Sequence, residues 1–378
     1  KMLHGSPSII NLRPFLNWFV LKVAINFLLT VNRELNLNVE MPKIITQIST
    51  NLHTSWQKEL ANVVTDPKLL LEMLAIEPND YLQHFKARTL FPVRVPRPFI
   101  AKMKRGDIND PLLKQVMPLS KEFIMTEGFS ADPLDEHDTV AEGLLHKYKH
   151  RVLMIVKAGC AINCRYCFRR HFPYQDNSPN KQRWQAALDY IQQHKEITEV
   201  IFSGGDPLMA SDEHLHWLIS EIEKISHVKR LRIHTRLPIV IPQRITPALV
   251  KALSTTRLKP TIVFHVNHAN EIDDSVIQAI EPLIAARIPL FNQSVLLKDI
   301  NDDAEILAQL SERLFDVGIQ PYYLHLFDKV QGVAHFDISE TEAKKIALAL
   351  MAILPGFLMP KLVREIAGEA NKTPITLT

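Results

Sequence analysis

Apolar and polar positions change rhythm along this chain. Residues 53 to 75 (HTSWQKELANVVTDPKLLLEMLA) carry apolar side chains at helical spacing, interrupted near Pro67. From there to about Leu144 prolines and short helical pieces dominate, which predicts a helical N-terminal region packed on a later core. From Arg151 onward the pattern turns to short apolar or alternating runs. These are RVLMIVKAG at 151–159, EVIFSGGD at 199–206, RLRIHTR at 230–236, PTIVFHV at 260–266, PLFNQSVLL at 289–297 and PYYLHLFD at 321–328. Amphipathic stretches such as KQRWQAALDYIQQH at 181–194 and DAEILAQLSERLFDVG at 303–318 lie between them. Six strands alternating with helices imply parallel pairing through right-handed crossovers. Six repeats are too few for a full eightfold barrel, so the expected fold class is α/β, as a partial (β/α)6 TIM-like barrel. Its chemistry should gather where strands end and loops begin.

The first forty residues differ in character from the rest of the chain. Phe15 to Val31 reads FLNWFVLKVAINFLLTV, apolar but interrupted by Lys22 and two asparagines, and shorter than the roughly 20 residues of a membrane span. No Ala-x-Ala cleavage site comes after it. Position 1 is Lys, while Met41 opens sequence of ordinary globular character, so residues 1–40 are expected to be an upstream-translated leader. The remaining expected divisions are 41–144 (helical), 145–335 (barrel) and 336–378 (C-terminal segment).

Charge adds little. Forty-four Lys and Arg against forty-one Asp and Glu leave +3, which gives no reason to expect a nucleic-acid or membrane partner. Cysteine usage adds more. All three cysteines fall within KAGCAINCRYCFRRHF, without the distant partners of a secreted disulfide framework, so a reducing, cytoplasmic setting is expected. Cys160, Cys164 and Cys167 come just after the first barrel strand. Thiolates are soft ligands suited to iron-sulfur clusters, and three can hold three irons of a cubane while the fourth stays open. The alternative is a closed, tetrahedral Cys3His zinc site using His171.

The C-x3-C-x2-C loop, with Tyr166 just before its third cysteine, resembles the signature of the radical S-adenosylmethionine (radical SAM) superfamily. There the open iron binds the methionine moiety and reductive cleavage gives a 5′-deoxyadenosyl radical. Ser203-Gly204-Gly205-Asp206-Pro207 resembles the glycine-rich motif that receives the methionine amino group. Without that context, Gly-Gly-Asp-Pro is a turn. The resemblance extends over roughly residues 85–378 to lysine 2,3-aminomutase, closest to the short bacterial branch that supplies (R)-β-lysine for elongation factor P. It rests on LLHKYKHRVLMIVKAGCAINCRYCFRRHF, FSGGDPLM, RLRIHTRLPIVIPQRIT, HVNHANEI, NQSVLLKDINDD, PYYLHLFDKVQG and GEANKTP.

The resemblance implies a barrel of the radical SAM type and three cofactors: a 4Fe-4S cluster, S-adenosyl-L-methionine and pyridoxal 5′-phosphate. It makes Lys372 the residue in Schiff-base linkage with pyridoxal phosphate. A lysine so near the end of the sequence otherwise reads as a solvated residue. Arg151 and Arg236 match positions near the cofactor phosphate, with Tyr148 beside them. Lys147 stands where longer enzymes have arginine, replacing a forked contact by a point charge. Arg169 matches the partner of the substrate carboxylate. Asp302 and Asp328 match two aspartates that clamp the lysine ammonium. By themselves they read as a helix cap and a turn former. Paired acids there favour L-lysine over glutamate as substrate. The implied partners are a flavodoxin or ferredoxin as electron donor and a lysyl-transferring enzyme acting on elongation factor P. The alternatives are a non-catalytic, zinc-stabilised binding protein and a radical SAM enzyme with another amino-acid substrate.

Overall fold

The computed structural model describes residues 55–136, 140, 143–173 and 180–377. The expected leader, the expected start at Met41 and the apolar stretch from Phe15 to Val31 lie outside the described residues. The helical pattern expected over 53–75 forms two helices, Ser55–Ala61 and Pro67–Met73. Pro67 begins the second one, where its missing N–H is no loss, and the Asp66 side chain caps it by accepting from Lys68 N at 3.0 Å. Short helical pieces continue through Pro111–Lys114 to a single turn at Ser120–Phe123. Buried Asp110 caps Pro111–Lys114, accepting from Leu112 N at 2.8 Å and Leu113 N at 2.9 Å.

Among the described residues nine strands form one sheet in the order of the chain: β1 (Leu144–Tyr148), β2 (Arg151–Lys157), β3 (Glu199–Gly204), β4 (Arg230–Thr235), β5 (Lys259–Phe264), β6 (Leu290–Val295), β7 (Gln320–His325), β8 (Lys361–Arg364) and β9 (Thr373–Pro374). The six expected strands are β2 to β7, each parallel to the next. Helices Lys181–Gln193, Asp212–Lys224, Pro247–Thr255, Asp274–Ala285 and Ala304–Asp316 make the crossovers. This is the partial TIM-like barrel expected. The C-terminal segment extends it with helix Glu340–Ile353 and a further parallel strand, β8, while β1 and β9 pair antiparallel at the two edges.

Register explains which side chains meet. Met154, Phe202, Ile233, Ile262 and Leu290 lie in one row across five strands, and all are buried. They belong to an apolar cluster that also takes in Trp56, Leu70 and Phe99 of the N-terminal region, so that region packs on the outer face of the sheet. Fully burying side chains of this size stabilises by about 1.5–3 kcal/mol each. Successive strand residues point to opposite faces. Ile155, Ser203, His234 and Gln293 therefore face the barrel interior. A separate cluster of Leu297, Phe327, Val330 and Phe336 packs against Tyr166 and Phe168 of the cysteine loop. Because β2 to β8 are parallel, their C-terminal ends share one rim.

Candidate active site

The loop after β2 carries Cys160, Cys164 and Cys167, all free and half-buried. Its backbone is fastened to the N-terminal region: Asn163 N donates to Arg94 O at 2.9 Å and Arg165 N to Gln115 O at 2.8 Å. Charge fastens it a second time. Arg165 Nε lies 2.9 Å from Glu122 Oε1, and Arg170 Nη2 lies 2.9 Å from Glu122 Oε2. All three side chains are buried, so removing Glu122 would strand two cations in a dry interior.

Burial, followed by the Asp206 carboxylate and the other two sulfurs, pushes the Cys160 thiol well above its ordinary pKa. Burial first and then Cys164 drive Cys167 up to about 11. Both thiols are thus protonated until a metal charge favours their thiolates. Among the described residues no three His, Cys, Asp or Glu side chains converge on a point that a single ion could occupy. A zinc site needs such convergence, whereas a cubane presents a different iron to each sulfur. His171, the fourth ligand of the zinc alternative, instead places Nε2 3.1 Å from Gln331 O. The donor set fits a cluster better than a lone metal.

The glycine motif lies against this loop. Gly205 N donates to Lys157 O at 2.7 Å, and Asp206 N donates to Gly159 O at 3.0 Å. A Cβ on Gly205 would stand 2.5 Å from Gly159 O, and Gly204 has φ +120°, so no other residue fits this approach. Asp206 is buried at the crossing of β3 and β4. Its carboxylate accepts from Thr235 Oγ1 at 2.8 Å, Arg236 N at 2.8 Å, Leu237 N at 2.9 Å and Leu208 N at 3.0 Å. Burial outweighs those bonds and leaves its pKa raised. Asp206 therefore ties two strand ends together.

Arg236, expected near the cofactor phosphate, meets the cysteine loop and a buried acid. Its Nη1 lies 2.6 Å from Cys164 Sγ and also meets the Tyr166 hydroxyl. Its Nη2 lies 2.9 Å from Glu271 Oε2 and 2.7 Å from Gln115 Oε1. The physical reason is charge: Glu271 is fully buried and needs a cation, and Arg236 reaches it through the rim after β4.

Lys372 sits just before β9 and pairs with Glu365, the residue immediately after β8. Tyr148 donates to Glu365 Oε1 at 2.9 Å, and Lys147 Nζ stands 3.7 Å from the same oxygen. Lys147 also lies 3.1 Å from Glu136 Oε1, and Glu136 in turn holds Arg169. Arg169 Nη1 reaches Ser203 Oγ at 3.1 Å and Gly204 O at 3.3 Å. One line of charge thus runs Arg169, Glu136, Lys147, Glu365, Lys372, joining the cysteine loop to the C-terminal strands. Arg151 joins it from the side, with Nη2 2.9 Å from Asn371 Oδ1 and its guanidinium 4.1 Å over the Tyr148 ring.

These charges set the titration of the acids. Burial raises Glu365, but Lys372, Lys147 and the Tyr148 hydroxyl outweigh it and bring it down to about 2. Asp328 lies just beyond β7. Burial first, then repulsion from Glu365 and Glu136, push it up to about 7 against the pull of Lys372 and Lys147. Asp302, beyond β6, accepts from Asp299 N at 2.9 Å, while the helix cap expected of it falls to Asp303. Sequence reasoning missed Glu365, Glu136, Glu271 and Gln115. Their signal was weak, since isolated acids, or an amide such as Gln115, carry no mark of the cation they will meet.

A family model described as the Radical SAM superfamily matches residues 154–310. Over 338 residues the chain is 53% identical to "L-lysine 2,3-aminomutase" of Escherichia coli (strain K12), covering 89% of this chain and 98% of that protein. It is 56% identical over 320 residues to the protein of the same name from Haemophilus influenzae, covering 84% and 95%. A more distant "L-lysine 2,3-aminomutase" from Clostridium subterminale is 36% identical over 280 residues, covering 73% and 67%.

Proposed function

Because the chain belongs to the lysine 2,3-aminomutase family of radical SAM enzymes, we propose that it converts L-lysine to (R)-β-lysine with pyridoxal 5′-phosphate held on Lys372. The chain is an isomerase, and a 4Fe-4S cluster and S-adenosylmethionine are among its cofactors. When bound, these two supply a 5′-deoxyadenosyl radical and pyridoxal phosphate supplies a conjugated carbonyl for the substrate amine. The rest of the work falls to side chains.

Cys160, Cys164 and Cys167 would hold the cluster by three of its irons, leaving one for S-adenosylmethionine, with Tyr166 beside the cysteine loop. Gly204 and Gly205 let their backbone pack against Lys157 and Gly159 at the base of the cysteine loop, where they would receive the methionine amino group, and Asp206 keeps the strand ends in place. Arg169 offers its fork to the substrate carboxylate. Asp328 and Asp302 receive the ε-ammonium. Tyr148 and Arg151 serve the cofactor beside Lys372. Glu365, with its carboxyl near 2, is a counter-ion to Lys372 and too weak a base to take its proton at neutral pH. Paired acids at Asp302 and Asp328 would repel a glutamate side chain, which favours lysine.

The observation that carries this reading is the unbroken line of ion pairs from Arg169, two residues past the last cysteine, to Lys372. A flavodoxin or ferredoxin would reduce the cluster in the cytoplasm, and an enzyme that transfers the product to elongation factor P would consume it. Among the described residues no helix is long and apolar enough to cross a membrane. Anaerobic incubation with L-lysine, S-adenosylmethionine, pyridoxal phosphate and dithionite should yield β-lysine. Iron-loaded protein that cleaves S-adenosylmethionine without forming β-lysine would overturn the reading, as would colourless protein carrying zinc.

A further inference from the structure

His234 from β4, His265 just after β5 and His325 from β7 all feel the charge of Lys372, and Gln293 from β6 reaches the first two. The Gln293 amide nitrogen lies 2.8 Å from His265 Nε2 and 3.5 Å from His234 Nδ1, with the two imidazole rings 6.1 Å apart. An amide nitrogen only donates, so both ring nitrogens accept and the His234 proton resides on Nε2. That Nε2 is buried and has no partner among the described residues. His325, only 8% exposed and edge-on to Tyr323 with ring centroids 5.6 Å apart, has a second buried Nε2 without a partner.

Both imidazoles are neutral. Burial comes first, followed by Arg232, His265, Lys372 and Arg169 around His234 and by Lys372 and His265 around His325; Glu365 opposes this at His325 without reversing it. Buried polar nitrogens in folded proteins are nearly always bonded, so two orphans around one reactive amine mark the outline of a missing ligand. A metal ion does not fit, because no three ligating side chains converge there and the Gln293 amide occupies His265. An oxygen-rich ligand does fit. Neutral imidazoles hydrogen-bond phosphate or phenolate oxygens without adding charge to a site that already holds Lys147, Arg151 and Arg169.

We propose that His234 and His325 are binding residues for the pyridoxal phosphate on Lys372, donating from Nε2 to its oxygens, while Gln293 and His265 fix the His234 tautomer. The proposal rests on the assignment of Lys372 as the residue that holds the cofactor.

The test uses the full, iron-loaded chain, titrated anaerobically with pyridoxal phosphate. Bound cofactor is read by its visible absorbance, and the borohydride-reduced Lys372 peptide by mass spectrometry. His234→Ala and His325→Ala should each weaken pyridoxal phosphate binding about tenfold or more, at unchanged iron and sulfide content. His234→Gln and His325→Asn, which keep a donor, should recover much of that loss. Wild-type affinity in both alanine variants overturns the proposal while leaving the Lys372 assignment standing. No labelled Lys372 in the wild-type chain overturns both. If an alanine variant loses its circular dichroism, His234→Phe and His325→Phe take its place with the same two outcomes.

Discussion

Glu136 holds Arg169 in a two-pronged ion pair, with Arg169 Nε 2.6 Å from Oε2 and Nη2 3.1 Å from Oε1. The fork assigned to a substrate carboxylate is therefore already filled by a carboxylate of the chain itself. Substrate must displace or share that partner, and Glu136 retains Lys147 when it does.

Arg169→Lys should raise the KM for L-lysine about tenfold to a hundredfold, because an ammonium cannot make the forked contact. Iron content should stay at the wild-type value, since no cysteine contact is lost. Steady-state kinetics on reconstituted protein check this, and an unchanged KM would remove Arg169 from the substrate site. Glu136→Gln should cost about 3 kcal/mol of stability, because Arg169 and Lys147 lose the anion they share. Chemical denaturation measures it.

Asp328 gives a pH dependence of known sign. Its carboxyl titrates near 7 when folded and near 4 when unfolded, so the folded chain binds the proton more tightly. The stability it contributes is complete below about pH 4 and lost as pH rises through 7, a span of up to about 4 kcal/mol. Asp328→Asn should therefore unfold later than wild type at pH 8 and show little difference at pH 4. Lysine affinity should rise with pH through 7 in the wild type and be flat in the variant.

Glu365 behaves oppositely. Its depressed carboxyl, near 2 against an ordinary value near 4, contributes stability above pH 4 that disappears as pH falls through 2. Glu365→Gln should lose up to about 3 kcal/mol at pH 7. Equal denaturation midpoints for variant and wild type at pH 7 would sink the counter-ion role.

Gly205→Ala should cost the protein most of its iron with all three cysteines intact. The added Cβ would meet Gly159 O at 2.5 Å and its carbonyl carbon at 2.6 Å, and backbone next to Cys160 must move to admit it. Iron and sulfide analysis after identical reconstitution decides the matter. Full occupancy would mean that the loop is freer than its hydrogen bonds suggest.

Asp302 separates charge from scaffolding. It accepts from Asp299 N, and Asp299 has φ +63°, so the side chain also stabilises a left-handed turn. Asp302→Ala should weaken both lysine use and stability, while Asp302→Asn, which keeps an acceptor, should weaken lysine use alone. Full activity in Asp302→Asn would dismiss an ammonium contact.

Most of the barrel was legible in the sequence because its strands are apolar, short and regularly spaced. The expected runs continue one to three residues beyond the hydrogen-bonded strands, from Thr235 to Arg236 and from His325 to Asp328 for example, and those overhanging residues line the rim. Strand β8 escaped because KLVR is four residues long with one exposed lysine. The cysteines and glycines were readable because their spacing is local. The acids Glu122, Glu136, Glu271 and Glu365 were not, because each acquires meaning only from a cation at least 7 residues away, and most commonly 33 or more. Arg236 shows the same limit: its position along the chain was clear, while the buried Glu271 that captures it was not.

Lys372 lies beside β9, a two-residue edge strand paired with β8, whereas the sulfur loop is bound by the glycine motif to β2 and β3 within the sheet. Marginal strands fray first. Gentle heating or dilute denaturant should therefore free the Lys372 edge before the sulfur loop, so that on the proposed reading an aldehyde would be let go while the inorganic heart is still seated.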